Sequence, residues 1–194
     1  ESCVKAIDNG FTSVMIDASK YPLEENINIT KQVVLYAKDK NVTVEAEVGA
    51  VGGEEDGVAN ELAYAKVEDA TKLVSETNID FLAPALGSVH GIYKGEPKLD
   101  FERMIKIHEL VKLPLVLHGG SGIPDELIKK AISCGICKIN INTELQIAWS
   151  KDVRKYLAEN NVVYDPRKVI KSGEMAMKEM IKEKIILFGS NGKA

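Results

Sequence analysis

A chain of 194 residues, 45% hydrophobic and 28% charged, is long enough to bury one sizeable core and has the balance of an ordinary globular domain. Its formal charge of −4 argues against nucleic acid as a main partner, because a polyphosphate backbone demands a concentrated basic surface. No apolar run is long enough to span a bilayer and no signal peptide opens the chain, so no membrane partner is expected; three irregularly placed cysteines give no disulfide framework, which points to a reducing cytoplasm.

Glu1–Gly10 reads as a helix already under way, with Gly10 as its stop. Five apolar runs of strand character follow, at Ser13–Asp17, Val42–Glu47, Phe81–Leu86, Leu115–Leu117 and Lys138–Ile141. Amphipathic stretches separate them at Glu24–Lys38, Val67–Glu76, Asp100–Val111 and Pro124–Ser133, and Glu144–Leu157 follows the last. Apolar residues recur in these at three- and four-residue spacing, as in Ile105, Leu110 and Val111, or Leu127, Ile128 and Ile132. Lys178, Lys182 and Lys184 interleave with Met180, Ile181 and Ile185, the pattern of a helix with one wet face. The piece from Gly49 to about Tyr64 is glycine-rich, acidic and irregular, as lid loops are.

Alternating β and α units imply a parallel sheet with right-handed crossovers, either an open doubly wound sheet or a closed (β/α)8 barrel. An open sheet concentrates its chemistry at one crevice. Here polar residues follow almost every strand: Asp17 and Ser19, Glu47, His90, His118, then Asn140 to Thr143. A closed ring with its site at the C-terminal rim produces that distribution. The expected fold is therefore α/β, a TIM barrel of which this chain supplies about the last five βα units. Residues 1–194 form a single domain, with a lid at about 49–64.

His90 and His118 stand at the ends of two strand runs, each followed by glycine. Parallel strands lie ~4.8 Å apart, so two such side chains can reach one ion at ~2.0–2.1 Å; the alternative is two histidines each bonding backbone groups. A catalytic zinc site needs about three protein ligands. Glu47 is one candidate for the third, and a residue ahead of Glu1 is another. Gly119-Gly120-Ser121-Gly122 leads into a helix near Pro124, and Asn140-Ile141-Asn142-Thr143 opens the next, so two loops can offer backbone N–H groups to a phosphate. Glu54, Glu55 and Asp56 lie between glycines, either as a solvated charge cluster or as carboxylates carried over the site by a closing loop. His108 sits mid-helix and reads as a surface residue. Cys134-x-x-Cys137 follows a helix rather than opening one, which does not favour redox chemistry.

Ser13-Val14-Met15-Ile16-Asp17-Ala18-Ser19, Glu45-Ala46-Glu47-Val48-Gly49, Gly52 to Gly57, Gly91 to Phe101, His118 to Gly122 and Asn140 to Leu145 each resemble signature segments of one family. It is that of the zinc-dependent class II fructose-bisphosphate and tagatose-bisphosphate aldolases, and the resemblance runs from Glu1 to Ala194 in order. It implies that His90 and His118 are two of three zinc histidines. Asp17 and Glu47 match acidic residues associated with a second or alternate metal position, divalent or monovalent. Gly91, Gly119, Gly120, Ser121, Asn140, Ile141, Asn142 and Thr143 match positions that hold dihydroxyacetone phosphate. Glu55 matches the mobile-loop carboxylate that moves a proton at the nucleophilic carbon, and Arg167 a residue reaching the far phosphate, across a subunit interface. The implied activity is reversible cleavage of fructose 1,6-bisphosphate, in a homodimer or homotetramer. Tagatose 1,6-bisphosphate cleavage and an inactive sugar-phosphate-binding fragment are the alternatives. The family's acid–base aspartate and first zinc histidine would fall just before Glu1, outside these 194 residues.

Overall fold

The computed structural model describes residues 1–55 and 58–193, with residues 54, 55 and 58–60 described by their backbone alone. In chain order the elements are α1 (Ser2–Asp8), β1 (Ser13–Ile16), α2 (Leu23–Lys38), β2 (Thr43–Val48), β3 (Gly52–Glu55), β4 (Val58–Asn60), α3 (Val67–Thr77) and β5 (Phe81–Pro84). Then come β6 (Val89–His90), α4 (Phe101–Val111), β7 (Leu115–Leu117), α5 (Asp125–Ser133), β8 (Ile136–Ile139), α6 (Thr143–Glu159) and α7 (Pro166–Leu187).

Five strands form the main sheet in the order β1-β2-β5-β7-β8, every pairing parallel. Helices α1 to α5 pack each against the next along one face, so the sheet is lined on that side by an arc of helices. This is the βα order of a barrel wall, with β1 and β8 as the edges of the described sheet. Local chemistry sets the turns. Pro22 precedes α2, with Glu24 and Glu25 in the first turn and Lys38 in the last, each complementing the helix dipole. Asp100 caps α4 by accepting from the Arg103 N–H, and Lys112 ends it in the left-handed region before Pro114.

The core lies between sheet and helices. Leu82, Leu115, Leu117 and Val44 meet Ile27, Leu73, Met104, Ile107 and Ile128, all nearly inaccessible. This differs from the periodicity reading in α4. Ile105 and Leu110 are exposed, whereas Met104 and Ile107 carry the buried face. The α4 pattern has apolar residues on two sides, and only the packing of α3 and α5 against it selects one.

The segment after β2 is also more ordered than its composition suggests. β3 pairs antiparallel with β4 and parallel with β6, Gly53 lying opposite His90. Gly53 has φ +94, and a Cβ there would sit 2.1 Å from the His90 carbonyl oxygen, so only glycine allows this approach.

α6 and α7 form a hairpin that packs chiefly on itself. Its joint is Trp149 against Gly173, where a Cβ would lie 2.2 Å from the indole Cδ1 and Nε1. Trp149 is the only tryptophan, so its fluorescence reports this joint alone. Gly173→Ala gains about 1 kcal/mol of helix propensity but overpacks the indole, which typically costs about 1–3 kcal/mol. The expected outcome is a lower urea midpoint with a red-shifted emission; an unchanged midpoint and spectrum would show that the ring is not seated on Gly173.

Candidate active site

The C-terminal ends of the parallel strands meet at one rim, and a cleft of about 860 Å³ opens there. Asp17 follows β1, Glu47 lies near the end of β2, His90 ends β6, His118 follows β7, and Asn140 to Thr143 follow β8; all of them border the cleft. Gly91, Gly119 and Ser121 border it too. Gly120 lies beneath, its α-carbon packed against Ile139 and Ile141, where a larger residue would collide.

At the centre is His118, 7% exposed. Its Nε2 is 3.0 Å from Glu45 Oε1 and its Nδ1 is 3.2 Å from Glu47 Oε2. Glu45 and Glu47 stand two apart on β2 and so project to one face of the sheet. Glu45 also receives the Lys138 ammonium from β8 at 2.6 Å, and Glu47 receives the Ser19 hydroxyl at 3.3 Å. Asn26, itself buried, holds the Glu47 carbonyl at 2.9 Å. Burial pulls the His118 pKa down, but the hydrogen bonds that the imidazolium donates to both carboxylates outweigh it and leave the imidazole at about 9. For Glu45, burial acts upward, and the bonds from His118 and Lys138 overcome it, holding the carboxyl below the usual range.

The His90 and His118 rings face each other with centroids 5.9 Å apart and planes tilted by 37°. Two imidazoles on one tetrahedral zinc ion, at ~2.0–2.1 Å each, place their centroids roughly 5–6 Å apart. The pair therefore fits one divalent ion. Among the described residues no group of three or more His, Cys, Asp or Glu side chains is gathered for a metal. Glu47 is engaged with His118 and the Ser19 hydroxyl, and Asp17 accepts the Ser19 N–H at 2.9 Å to close its own turn.

The two loops after β7 and β8 are stitched together. Gly120 N–H donates to the Asn140 carbonyl, and the Ser121 hydroxyl accepts from the Asn142 and Glu144 N–H groups. Glu144 in turn accepts the Gly122 N–H at 2.8 Å and pairs with Lys184 of α7 at 2.6 Å. The N-cap residue of α6, Asn142, gives no side-chain cap of its own, and the first turn of the helix faces the cleft. Of the two helices that the sequence offers to an anion, α6 turns its first turn to the cleft, whereas Pro124 and Asp125 at the start of α5 do not border it.

Several expected residues fall elsewhere. Arg167 forms a fork with the Asp165 carboxylate at the start of α7, 89% exposed, beside a separate surface pocket. The backbone of Glu55 ends β3, two residues past the His90 pairing; its side chain, like Asp56 and Gly57, lies outside the described residues. His108 is half-buried rather than fully at the surface: its ring covers Gly135 and its Nδ1 is buried. Lys184 turns from the wet face to Glu144 and is only 16% exposed. Sequence reading missed Glu45 and Lys138. The signal for Glu45 was its two-residue spacing from Glu47; Lys138 gave none, since it depends on β8 lying across the sheet from β2.

Comparison with known proteins agrees with this geometry. Residues 1–193 match the sequence model of the family described as "Fructose-bisphosphate aldolase class-II". The whole chain is 59% identical to the fructose-bisphosphate aldolase of Geobacillus stearothermophilus and 53% to the 6-phospho-5-dehydro-2-deoxy-D-gluconate aldolase of Shouchella clausii, covering 68% and 66% of them. The crystal structure of the YdjI aldolase from Escherichia coli K12 superimposes with a TM-score of 0.81 at 40% identity, over 97% of this chain and 65% of that one. The five-stranded wall is accordingly part of a TIM barrel, and the chain spans about two thirds of the length of these relatives. It belongs to the class II fructose-bisphosphate aldolase family.

Proposed function

We propose that this chain carries the metal pair and phosphate cradle of a class II fructose-1,6-bisphosphate aldolase, cleaving its substrate reversibly to dihydroxyacetone phosphate and glyceraldehyde 3-phosphate. The observation that carries this is the apposed His90–His118 pair opening on the same cleft as the α6 N-terminus, in a member of this family. His90 and His118 would hold a zinc ion; bound there, zinc supplies Lewis-acid polarisation of a ketone oxygen. Asp17 and Glu47 border the same space and suit a second cation, divalent or monovalent. Glu45 fixes the ring orientation of His118 through Nε2, as carboxylates do behind metal histidines.

The remaining steps belong to side chains and loops. Gly91, Gly119, Gly120, Ser121 and Asn140 to Thr143 seat the phosphate next to the ketone, so the reacting carbons arrive oriented. Glu55, carried on the β3 arm beside His90, delivers the proton to the carbon left electron-rich by C3–C4 cleavage, while the proton released from the C4 hydroxyl goes to the family's acid–base aspartate, which lies outside these 194 residues. Arg167, splayed outward, suits the far phosphate of a neighbouring subunit's substrate in a homodimer or homotetramer. A cytoplasmic setting belongs to the same reading; among the described residues no helix is long and apolar enough to cross a membrane.

A second reading rests on the Shouchella clausii relative, whose named substrate also carries a phosphate beside a ketone but ends in a carboxylate. The cleft as described binds the shared end. Cleavage rates of the protein as its gene encodes it, on fructose 1,6-bisphosphate, tagatose 1,6-bisphosphate and that deoxygluconate phosphate, separate the readings. A preference of tenfold or more for the first is expected, lost with a chelator and restored by zinc; activity that survives chelation would sink the metal assignment.

Proton linkage gives a further check. His118 holds its proton up to about pH 9 without metal, and an ion must displace it. Zinc affinity is therefore expected to rise about tenfold per pH unit below that value, one proton leaving per ion. A pH-independent affinity would argue against His118 as a ligand. The metal-free protein should behave oppositely. The folded pKa lies above the ordinary 6.5, so the stabilisation is complete below 6.5 and fades as pH rises through about 9. Its size is on the order of 3 kcal/mol. Urea midpoints across this range should fall for the wild type and not for His118→Gln.

A further inference from the structure

Tyr93 lies three residues past His90, half-buried against the core. Its hydroxyl accepts the Val89 N–H at 3.0 Å and donates to the Gly119 carbonyl at 3.0 Å. Val89 precedes His90, and Gly119 follows His118. One hydroxyl thus bridges the backbones flanking both histidines, 26 residues apart in the chain from Tyr93 to Gly119.

The two backbones approach very closely here. Gly119 has φ +62, and a Cβ on it would stand 2.3 Å from the Val89 carbonyl oxygen, so any other residue would push the loops apart. The ring edge of Tyr93 also rests beside Gly122, where an added Cβ would touch its Cδ2 at 3.4 Å. Nothing else among the interactions of Val89 and Gly119 described above is a side chain. β6 is only two residues long and pairs with the β3 arm, not with the main sheet, so the ladder of the barrel wall does not hold it in place.

We propose that Tyr93 is a positioning residue whose hydroxyl sets the separation of His90 and His118, and so the fit of the divalent ion between them. This rests on the reading of the histidine pair as a metal site. The phenol is not among the residues that border the cleft. It acts through the two loops, and removing its oxygen leaves the Val89 N–H and the Gly119 carbonyl without their partner while the ring still fills its place.

The test compares wild type, Tyr93→Phe and His118→Ala in the protein as its gene encodes it, using cobalt(II) as the probe. Cobalt affinity is measured by chelator competition and ligand geometry by the visible absorption bands. Tyr93→Phe should weaken cobalt binding about 10- to 100-fold, the range for groups that orient metal ligands, and shift the bands. It should lower kcat while leaving KM for the phosphorylated substrate within about threefold, because the Ser121–Asn142 contacts are untouched. Wild-type affinity and spectrum in Tyr93→Phe, with binding lost in His118→Ala, would overturn the role of Tyr93 and leave the metal site standing. Equal cobalt binding by wild type and His118→Ala would overturn the metal site and this proposal with it. Hydrogen exchange on the wild type needs no variant: slow exchange of the Val89 amide is expected, and exchange at the rate of an unprotected amide would refute the bridge.

Discussion

Two carboxyl groups inside a protein need positive partners, and the rim of this molecule is organised around meeting that need. Glu45 and Glu47 are 3% and 4% exposed, far below what isolated carboxylates tolerate. His118 lies between them and accepts the consequence, keeping a proton that an ordinary imidazole would lose near neutrality. Lys138 completes the set from the edge strand β8. Removing His118 leaves the buried Glu47 carboxylate with the Ser19 hydroxyl and no cation of this set, and an unpaired buried charge typically costs about 3–5 kcal/mol. The arrangement is therefore stable only as a whole, and it requires β2, β7 and β8 to hold their register.

On the proposed reading, the same network prepares the site for a cation. A protonated His118 cannot bind a metal, but its place between two carboxylates is one where positive charge is already favoured. An ion beside His118 takes over the role of the proton it displaces. Glu45 then keeps the Nε2 side occupied and directs Nδ1 toward the cleft, where Glu47 now sits and His90 faces it. In the proposed site the proton and the metal are alternatives, and the buried carboxylates are the negative charge that favours either.

The barrel wall accounts for why so many short-range features converge. Parallel strands in sequence order bring every C-terminal end to one rim. There the loops bind one another as much as they bind the wall: Ser121 spans to the start of α6, Glu144 reaches back to Gly122 and on to α7, and Tyr93 joins the two histidine loops. Such cross-loop bonds give segments without regular structure the precision that catalysis demands.

The sequence by itself determined the βα order, the barrel class, the two histidines and the loops after β7 and β8. These follow from periodicity and from residue types placed at strand ends, which are local properties. It also carried the pairing of Glu45 with Glu47 in their two-residue spacing. Only the tertiary structure decided which face of α4 is buried, that α6 and not α5 turns its positive end to the cleft, that Lys184 leaves solvent for Glu144, and that the glycine-rich arm pairs with β6. Lys138 and Tyr93 belong to the same group: their partners are 93 and 26 residues away in sequence. The physical reason is common to all of these. Each depends on which surfaces meet when strands distant in the chain come side by side, and a one-dimensional pattern of hydrophobic and polar residues does not encode that choice at short range.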